Sequence, residues 1–548
     1  MHKVGLVMVA IVLLGCTEAS DTAAVNDAPL PAESGAMMPQ VGTSGDRPVV
    51  ATGHGPVRGF IDRGILTFKG VRYGADTAAT RFQPPVLPSN WQAPTDTRAF
   101  GPSCPQIRRP VGMFTLFESW QPQPDPGNSE DCLFLNVWTP GLDRADRPVM
   151  VWLHGGGFAS GSGSSNAYDG VRLSERGDVV IVSVNHRLNL FGYTYLDDHG
   201  ASYVGSGNAG MLDLVQALEW VRDNIEAFGG DPTNVLIFGE SGGGWKVSTL
   251  MAMDTAKGLF HKAVAQSGPG LTLMDAQTAA DQSRALLAEL GLDAESVDAI
   301  RSIPTQALLD AMGRLTDAGQ SVGGRPVIDG VYQHRHPFVP AAPEQSMDVP
   351  LLIGSTQTEM SLLAGARQPS LFDLTWDSLP EALRAGIPGV DATAVIDGYR
   401  RLHPEIDAPN LYFEATTDHS VFGRGSFELA DRKAEQGGAP VFQYYMTWRS
   451  PVENGKWGAT HALDIGFVFD NVALSASMSG TGEKQQALAD VMSEAWLAFA
   501  RSGDPNHDNL LQWPRYDTET RATMIFDDES YVANDPRGRE RAIIDAAL

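Results

Sequence analysis

The sequence predicts an α/β fold, with an open, mostly parallel central sheet flanked by helices on both faces. Three observations carry this expectation. Residues 148–153, 178–184 and 234–238 are short, near-continuous apolar runs, the texture of strands buried on both sides. Between the last two, Leu214, Val215, Leu218, Val221 and Ile225 recur at helical spacing over residues 213–225. Further apolar runs at 263–266, 349–353 and 441–446 continue the alternation. Parallel neighbours need a crossover, and helices between strands supply it. No internal repeat and no linker interrupts residues 47–548, so one large domain is expected there.

The N-terminus has a different texture. Residues 4–15 form an apolar run behind His2 and Lys3. This is the pattern of a signal peptide over residues 1–15, and the run is too short to cross a hydrocarbon layer of about 30 Å as a helix. Leu13-Leu14-Gly15-Cys16 resembles the bacterial lipoprotein box, in which the signal is cut before the cysteine and the thiol is lipidated. Residues 16–46, rich in Ala, Ser, Gly, Pro and Asp, lack the apolar surface needed to offset ordering and are expected to be a tether. The expectation is an exported protein, anchored to a membrane only through Cys16 and facing the periplasm or cell exterior. An ordinary signal peptide with an incidental Cys16, and a periplasmic or secreted product, is the alternative.

Composition narrows the partners. The formal charge of −26 argues against nucleic acid, because nothing neutralises phosphates. Hydrophobic residues at 43% and charged residues at 19% allow a large buried core. No metal-ligand spacing, dinucleotide fingerprint or phosphate loop stands in a fitting context, so neither metal nor cofactor is expected.

Chemistry enters at the end of the run 234–238. The chain passes into Gly239-Glu240-Ser241-Gly242-Gly243, and residues 244–251 can continue as a helix. Strand, sharp turn and helix give a G-x-S-x-G pattern its meaning: the serine is exposed in a turn that flanking side chains would obstruct. A helix N-terminus behind it favours developing negative charge. The strand ending at Leu153 runs into His154-Gly155-Gly156-Gly157-Phe158. Consecutive glycines after a buried strand fit a backbone that turns N–H groups toward a reacting carbonyl. Gly156, Gly157 and Gly242 are the candidate oxyanion-hole donors. A flexible glycine turn, with Gly161 and Gly163 close by, is the plainer reading of the loop alone. The residues by themselves do not choose a base or an acid: His334, His336, His403 and His419 stand beside His461, and carboxylates are many.

From Val49 onward the chain resembles the type B carboxylesterase/lipase family, the cholinesterase and para-nitrobenzyl esterase kin. Phe68 to Tyr73 resembles the family's opening strand motif, with Arg81, Phe82 and Pro85 following. Residues 129–136 read S-E-D-C-L-F-L-N, and residues 224–232 read N-I-E-A-F-G-G-D-P ahead of the serine turn. The resemblance implies an α/β-hydrolase fold with large loop insertions around the active site. It also implies a triad of Ser241, Glu359 (in the segment 354–360) and His461 (in the segment 458–469), in the chain order this fold uses. Glu240 is expected to support the site, as is Asp464, which stands where Glu is usual. Gly242 replaces the usual Ala, and Trp245 is bulky for its position. Cys104 and Cys132 take the places of a family disulfide, and the stretch they enclose carries Phe114, Phe117 and Trp120. Those rings are expected either to form part of an apolar site mouth or to pack as a self-contained loop.

The implied chemistry is acyl transfer from a small-molecule ester through an acyl-enzyme on Ser241, with His461 as base and Glu359 as the orienting acid. An amide, carbamate or thioester would be served by the same groups. A non-catalytic adhesion protein on this fold would have lost the serine or the histidine.

Overall fold

The computed structural model describes residues 47–107, 115–122 and 124–548. The leader, the tether with Cys16, and Phe114 lie outside the described residues. Eleven strands among them form the main sheet: β1 (Phe60–Asp62), β2 (Ile65–Arg72), β3 (Phe134–Thr139), β4 (Arg147–Leu153), β5 (Val180–Val184), β6 (Gly230–Glu240), β7 (Lys262–Gln266), β8 (Leu351–Thr356), β9 (Val441–Met446), β10 (Ala522–Phe526) and β11 (Tyr531–Asn534). Their order is β1-β2-β3-β5-β4-β6-β7-β8-β9-β10-β11. From β5 through to β10 every pair is parallel, while β1, β2, β3 and β11 add antiparallel edges. This is the mostly parallel sheet of an α/β-hydrolase fold.

The central strands show why their sequences read as unbroken apolar runs. Val149, Val151 and Leu153 of β4 enter one core cluster, with Val235 and Ile237 of β6. Met150 and Trp152 point to the other face, with Leu236 and Phe238. Alternate side chains face opposite ways, so both sets must be apolar when both faces are covered. The helices Ala209–Asn224, Gly242–Leu250 and Gly423–Glu435 supply Leu214, Leu218, Val247 and Phe427 to the first face. The helices Val171–Gly177 and Glu483–Ser502 supply Leu173, Met492 and Trp496 to the second. Two satellite cores lie under helical insertions, one between Ala276–Glu289 and Thr305–Asp317, the other among Leu379–Gly386, Ala392–Leu402, Ala408–His419 and Gly538–Ala547.

Two boundaries differ from the sequence pattern. The helix expected from residue 213 begins at Ala209, because Asp213 is not its start but a buried anchor inside it. Asp213 accepts hydrogen bonds from the backbone N–H and guanidinium of Arg187, itself buried. Strand β6 starts at Gly230, where pairing with Arg147 across an irregularity extends it beyond the apolar run. The acidic residues at 130 and 131 have structural partners: Arg81 donates to Glu130, and Arg72 reaches Asp131 at 2.6 and 2.7 Å.

The register decides where chemistry can assemble. Leu153, Gly239, Ala265, Ile353 and Gln443 lie at one level across β4, β6, β7, β8 and β9. Just past that level the chain leaves the sheet at His154 and Ser241, and within a few residues at Glu359. The carboxyl edge of an open α/β sheet is where such folds bind ligands.

Candidate active site

Ser241 sits between β6 and the helix Gly242–Leu250 with φ 56° and ψ −121°. A serine at positive φ is held against an intrinsic cost of about 1–3 kcal/mol, so its surroundings must fix it. They do so from two sides: its N–H donates to Gln266 O at 2.8 Å, and its carbonyl accepts from Trp245 N–H at 3.0 Å. The Oγ makes no hydrogen bond to another described residue, which leaves it free for a reacting partner.

Glu359 and His461 are brought together by two knitted loops. Thr358 and Thr460 form a parallel bridge, Thr358 N–H donates to Ala459 O at 2.9 Å, and Ser361 Oγ donates to Thr460 Oγ1 at 2.9 Å. Glu359 is fully buried; its Oε1 accepts from Thr356 N–H at 2.8 Å, and its Oε2 accepts a short bond from His461 Nδ1. That bond assigns the Nδ1 proton and leaves Nε2 as the nitrogen that can accept one. The Phe422 ring packs on the imidazole in a T-shaped arrangement, ring centroids 5.1 Å apart.

Glu240, buried beside the serine, places Oε1 3.2 Å from His461 Nε2. Burial pushes its carboxyl up to about 8, although His461 and Lys246 favour its ionised form. For His461, burial alone would lower the pKa; Glu240 and Glu359 outweigh it and push it up to about 9. Asp464, expected to support the site, keeps an outer network. Its Oδ2 accepts from Gln266 Nε2 at 2.9 Å and from Tyr444 OH at 2.6 Å, and Gln266 is the residue whose carbonyl holds Ser241.

The glycine loop turns back on itself at Gly156 (φ 84°) and Gly157 (φ 62°), a conformation that glycine adopts without a side-chain clash. Neither N–H has an acceptor among the described residues. Gly242 is the first residue of its helix, where an N–H has no intrahelical partner. Three candidate donors are therefore unspent, as an oxyanion hole requires.

None of the rival histidines is bonded to Glu359 or Ser241. His334 lies 3.9 Å from Asp254, His336 Nδ1 accepts from Leu273 N–H, His403 pairs with Glu540 at 2.7 Å, and His419 ends the helix Ala408–His419. Cys104 and Cys132 form the expected disulfide. Next to it, Gln106 exchanges two bonds with Gly161, donating to its carbonyl at 2.9 Å and accepting from its N–H at 2.8 Å. Of the enclosed aromatic residues, Trp120 is buried in the second core, with Phe117 edge-on at 4.8 Å, and Ser119 is tied to Ser477. These contacts match the packed-loop reading.

Sequence reasoning passed over Lys246. It is fully buried on the helix that follows Ser241, and its Nζ donates to His154 O at 2.8 Å and Gly157 O at 2.9 Å. Burial pushes its pKa down to about 7, with Glu240 opposing. The signal was present: a lysine one residue before Val247, on a helix otherwise made of small and apolar residues. Trp245 is accounted for by Phe158 at 6.5 Å and the Arg325 guanidinium at 5.0 Å. Among the described residues no group of three or more His, Cys, Asp or Glu could hold a metal, and no helix is long and apolar enough to cross a membrane.

Comparison with known proteins agrees with this geometry. The model of the carboxylesterase family matches residues 46–543. The chain is 36% identical to para-nitrobenzyl esterase of Bacillus subtilis (strain 168) over 504 residues, covering 90% of this chain and 97% of that protein. It is 31% identical to phenmedipham hydrolase of Pseudarthrobacter oxydans, over 88% of this chain and 96% of that one. Among solved structures, the carboxylesterase EST55 of Geobacillus stearothermophilus superposes with a TM-score of 0.77 at 36% identity, covering 90% of this chain and 99% of that one. The chain belongs to the carboxylesterase family, and with it to the serine-dependent hydrolases of carboxylic esters.

Proposed function

We propose that the ester is cleaved through an acyl-enzyme on Ser241, with His461 as general base and acid and Glu359 as its orienting carboxylate. The observation that carries this reading is the buried Glu359–His461 bond, which engages Nδ1 and leaves Nε2, beside Glu240, as the nitrogen to take a proton from Ser241, whose Oγ is bonded to no described residue. As Ser241 attacks, Nε2 takes its proton, and the positive charge on the ring is offset by Glu359 at Nδ1 and Glu240 near Nε2. The carbonyl oxygen gains negative charge facing the N–H groups of Gly156, Gly157 and Gly242, each such donor being worth about 3 kcal/mol of barrier. The alcohol leaves with the proton returned by His461, and water repeats the attack on the acyl-serine.

The test is a panel of nitrophenyl esters of graded acyl length, with a para-nitrobenzyl ester, an anilide and a thioester alongside, measured on wild type and Ser241→Ala. Ester turnover that vanishes in Ser241→Ala supports the reading, and full activity in that variant sinks it. A preference for the anilide or thioester would move the substrate class while leaving the machinery in place.

The same proposal extends to location. The apolar leader and the Leu13-Leu14-Gly15-Cys16 box support export followed by lipidation of Cys16, with residues 16–46 as the tether of one catalytic domain. Cys16→Ser is expected to move the protein from the membrane fraction to the soluble one; unchanged fractionation would refute the anchor.

A further inference from the structure

An ammonium group buried in a protein core is costly, and a methionine of similar shape would fill the same space without that cost. Lys246 has no carboxylate within 4.0 Å among the described residues. Its Nζ instead donates to His154 O and Gly157 O and lies 5.4 Å from the Phe158 ring centroid. Glu240 acts on it from the serine turn, and the stacked imidazoles of His154 and His186 face it in their neutral forms, both driven down by burial.

What those two bonds hold is specific. The N–H groups offered to the oxyanion belong to the peptide units 155–156 and 156–157. The carbonyls of His154 and Gly157 belong to the units on either side, so Lys246 grips the loop at both ends. The carbonyls between have other donors: Gly155 O lies 2.9 Å from His154 Nδ1, and Gly156 O accepts from Ala159 and Ser160 N–H at 3.3 and 3.2 Å. Every carbonyl from His154 to Gly157 is thereby occupied, and Lys246 supplies two of the four. Gly242 meets the same carbonyl from the other side, since a Cβ there would lie 2.1 Å from Gly157 O.

We infer that Lys246 is a positioning residue of the oxyanion hole, holding the His154 and Gly157 carbonyls so that the glycine N–H groups stay turned toward the ester, and that residue 242 must be glycine because of this lock. The inference rests on the site assigned above. Without the lysine, the His154 and Gly157 carbonyls lose their donor and the loop can turn a carbonyl, rather than an N–H, toward the developing oxyanion.

The experiment compares wild type, Lys246→Met, Gly242→Ala and the double variant, each checked for an unchanged melting midpoint. The readouts are kcat and KM on a nitrophenyl ester, the affinity of an alkylboronic acid that forms a tetrahedral adduct on the serine, and the affinity of the product alcohol. Lys246→Met is expected to lower kcat about 10²-fold and weaken the boronic acid about tenfold or more, with KM and alcohol affinity within about threefold. Gly242→Ala is expected to cost about tenfold with Lys246 present and about threefold or less without it, a coupling that independent sites would not show. A folded Lys246→Met with wild-type kcat, equal loss of boronic acid and alcohol affinity, or additive effects of the two substitutions would each overturn the inference. If Lys246→Met does not fold, the wild-type enzyme labelled with ¹⁵N-lysine gives the answer. The buried Nζ resonance is expected to shift when the boronic acid adduct forms, and no shift counts against the lock. Ser241→Ala separates the two levels: activity surviving there removes the site itself, whereas an inactive Ser241→Ala beside a fully active Lys246→Met removes only the role of Lys246.

Discussion

Glu240 Oε1 stands 3.2 Å from His461 Nε2, the ring nitrogen opposite the one bound by Glu359, so the imidazole lies between two buried carboxylates. Both favour the protonated ring, whose pKa rises to about 9. As the proposed base, His461 works only when neutral, so kcat/KM is expected to fall as the pH drops through this raised value. The acid limb then lies alkaline of an ordinary histidine near 6.5. Glu240→Gln removes one of the two negative charges, destabilises the imidazolium and moves the acid limb to lower pH by about one unit or more. A kcat/KM profile from mildly acid to alkaline pH checks both statements, and an unmoved limb in Glu240→Gln would contradict the second.

Glu359 fixes the tautomer of His461. Glu359→Gln keeps the shape but removes the charge and can offer an N–H to Nδ1, which would put the proton on Nε2, the wrong nitrogen for a base. A loss of about 10³–10⁴-fold in kcat with nearly unchanged KM is expected from steady-state kinetics. A loss under about tenfold would mean that another group orients the ring.

Asp464 tests the outer network. Asp464→Ala leaves Gln266 Nε2 without its acceptor and Tyr444 OH without its partner, both in the core. Unfolding stability is expected to fall by about 3 kcal/mol, judged from the cost of stranded buried polar groups. Because Gln266 also holds the Ser241 turn, kcat should drop, but far less than in Glu359→Gln. Denaturant titration beside kinetics separates the two effects.

The Cys104–Cys132 bond closes a loop with a sequence separation of 28 residues. Chain entropy puts its stabilisation at about 3.5 kcal/mol. Cys104→Ser with Cys132→Ser is expected to lower the melting midpoint. It should also loosen the Gln106–Gly161 pair next to the glycine loop, reducing kcat at temperatures where the fold survives. A thermal melt and a kcat measurement with and without reductant check this on the unmodified protein.

Six of the seven parallel strands were legible because they are buried on both faces; β10, equally buried and parallel to β9, went unread. Runs such as 148–153 and 178–184 have no polar alternation to confuse with an edge strand. The short antiparallel edges β1 and β11 lack that signature and did not announce themselves. The serine turn and the glycine loop were readable because their demands fall on adjacent residues. Glu359 and His461 were not readable from the residues alone, since their pairing depends on loops knitted across a sequence separation of 102 and only the family resemblance selected them. Lys246 escaped for another reason: its partners are backbone carbonyls, which no side-chain pattern reveals.

The three residues of the proposed triad hang from separate strands, Ser241 after β6, Glu359 after β8 and His461 after β9. During synthesis the proposed nucleophile therefore emerges long before the proposed base, and on this assignment a half-made chain holding the serine turn would be no working hydrolase. On the proposed assignment, ester cleavage begins only once β8 and β9 have docked and the two loops have closed, so activity would itself report that the final third of the polypeptide is in place.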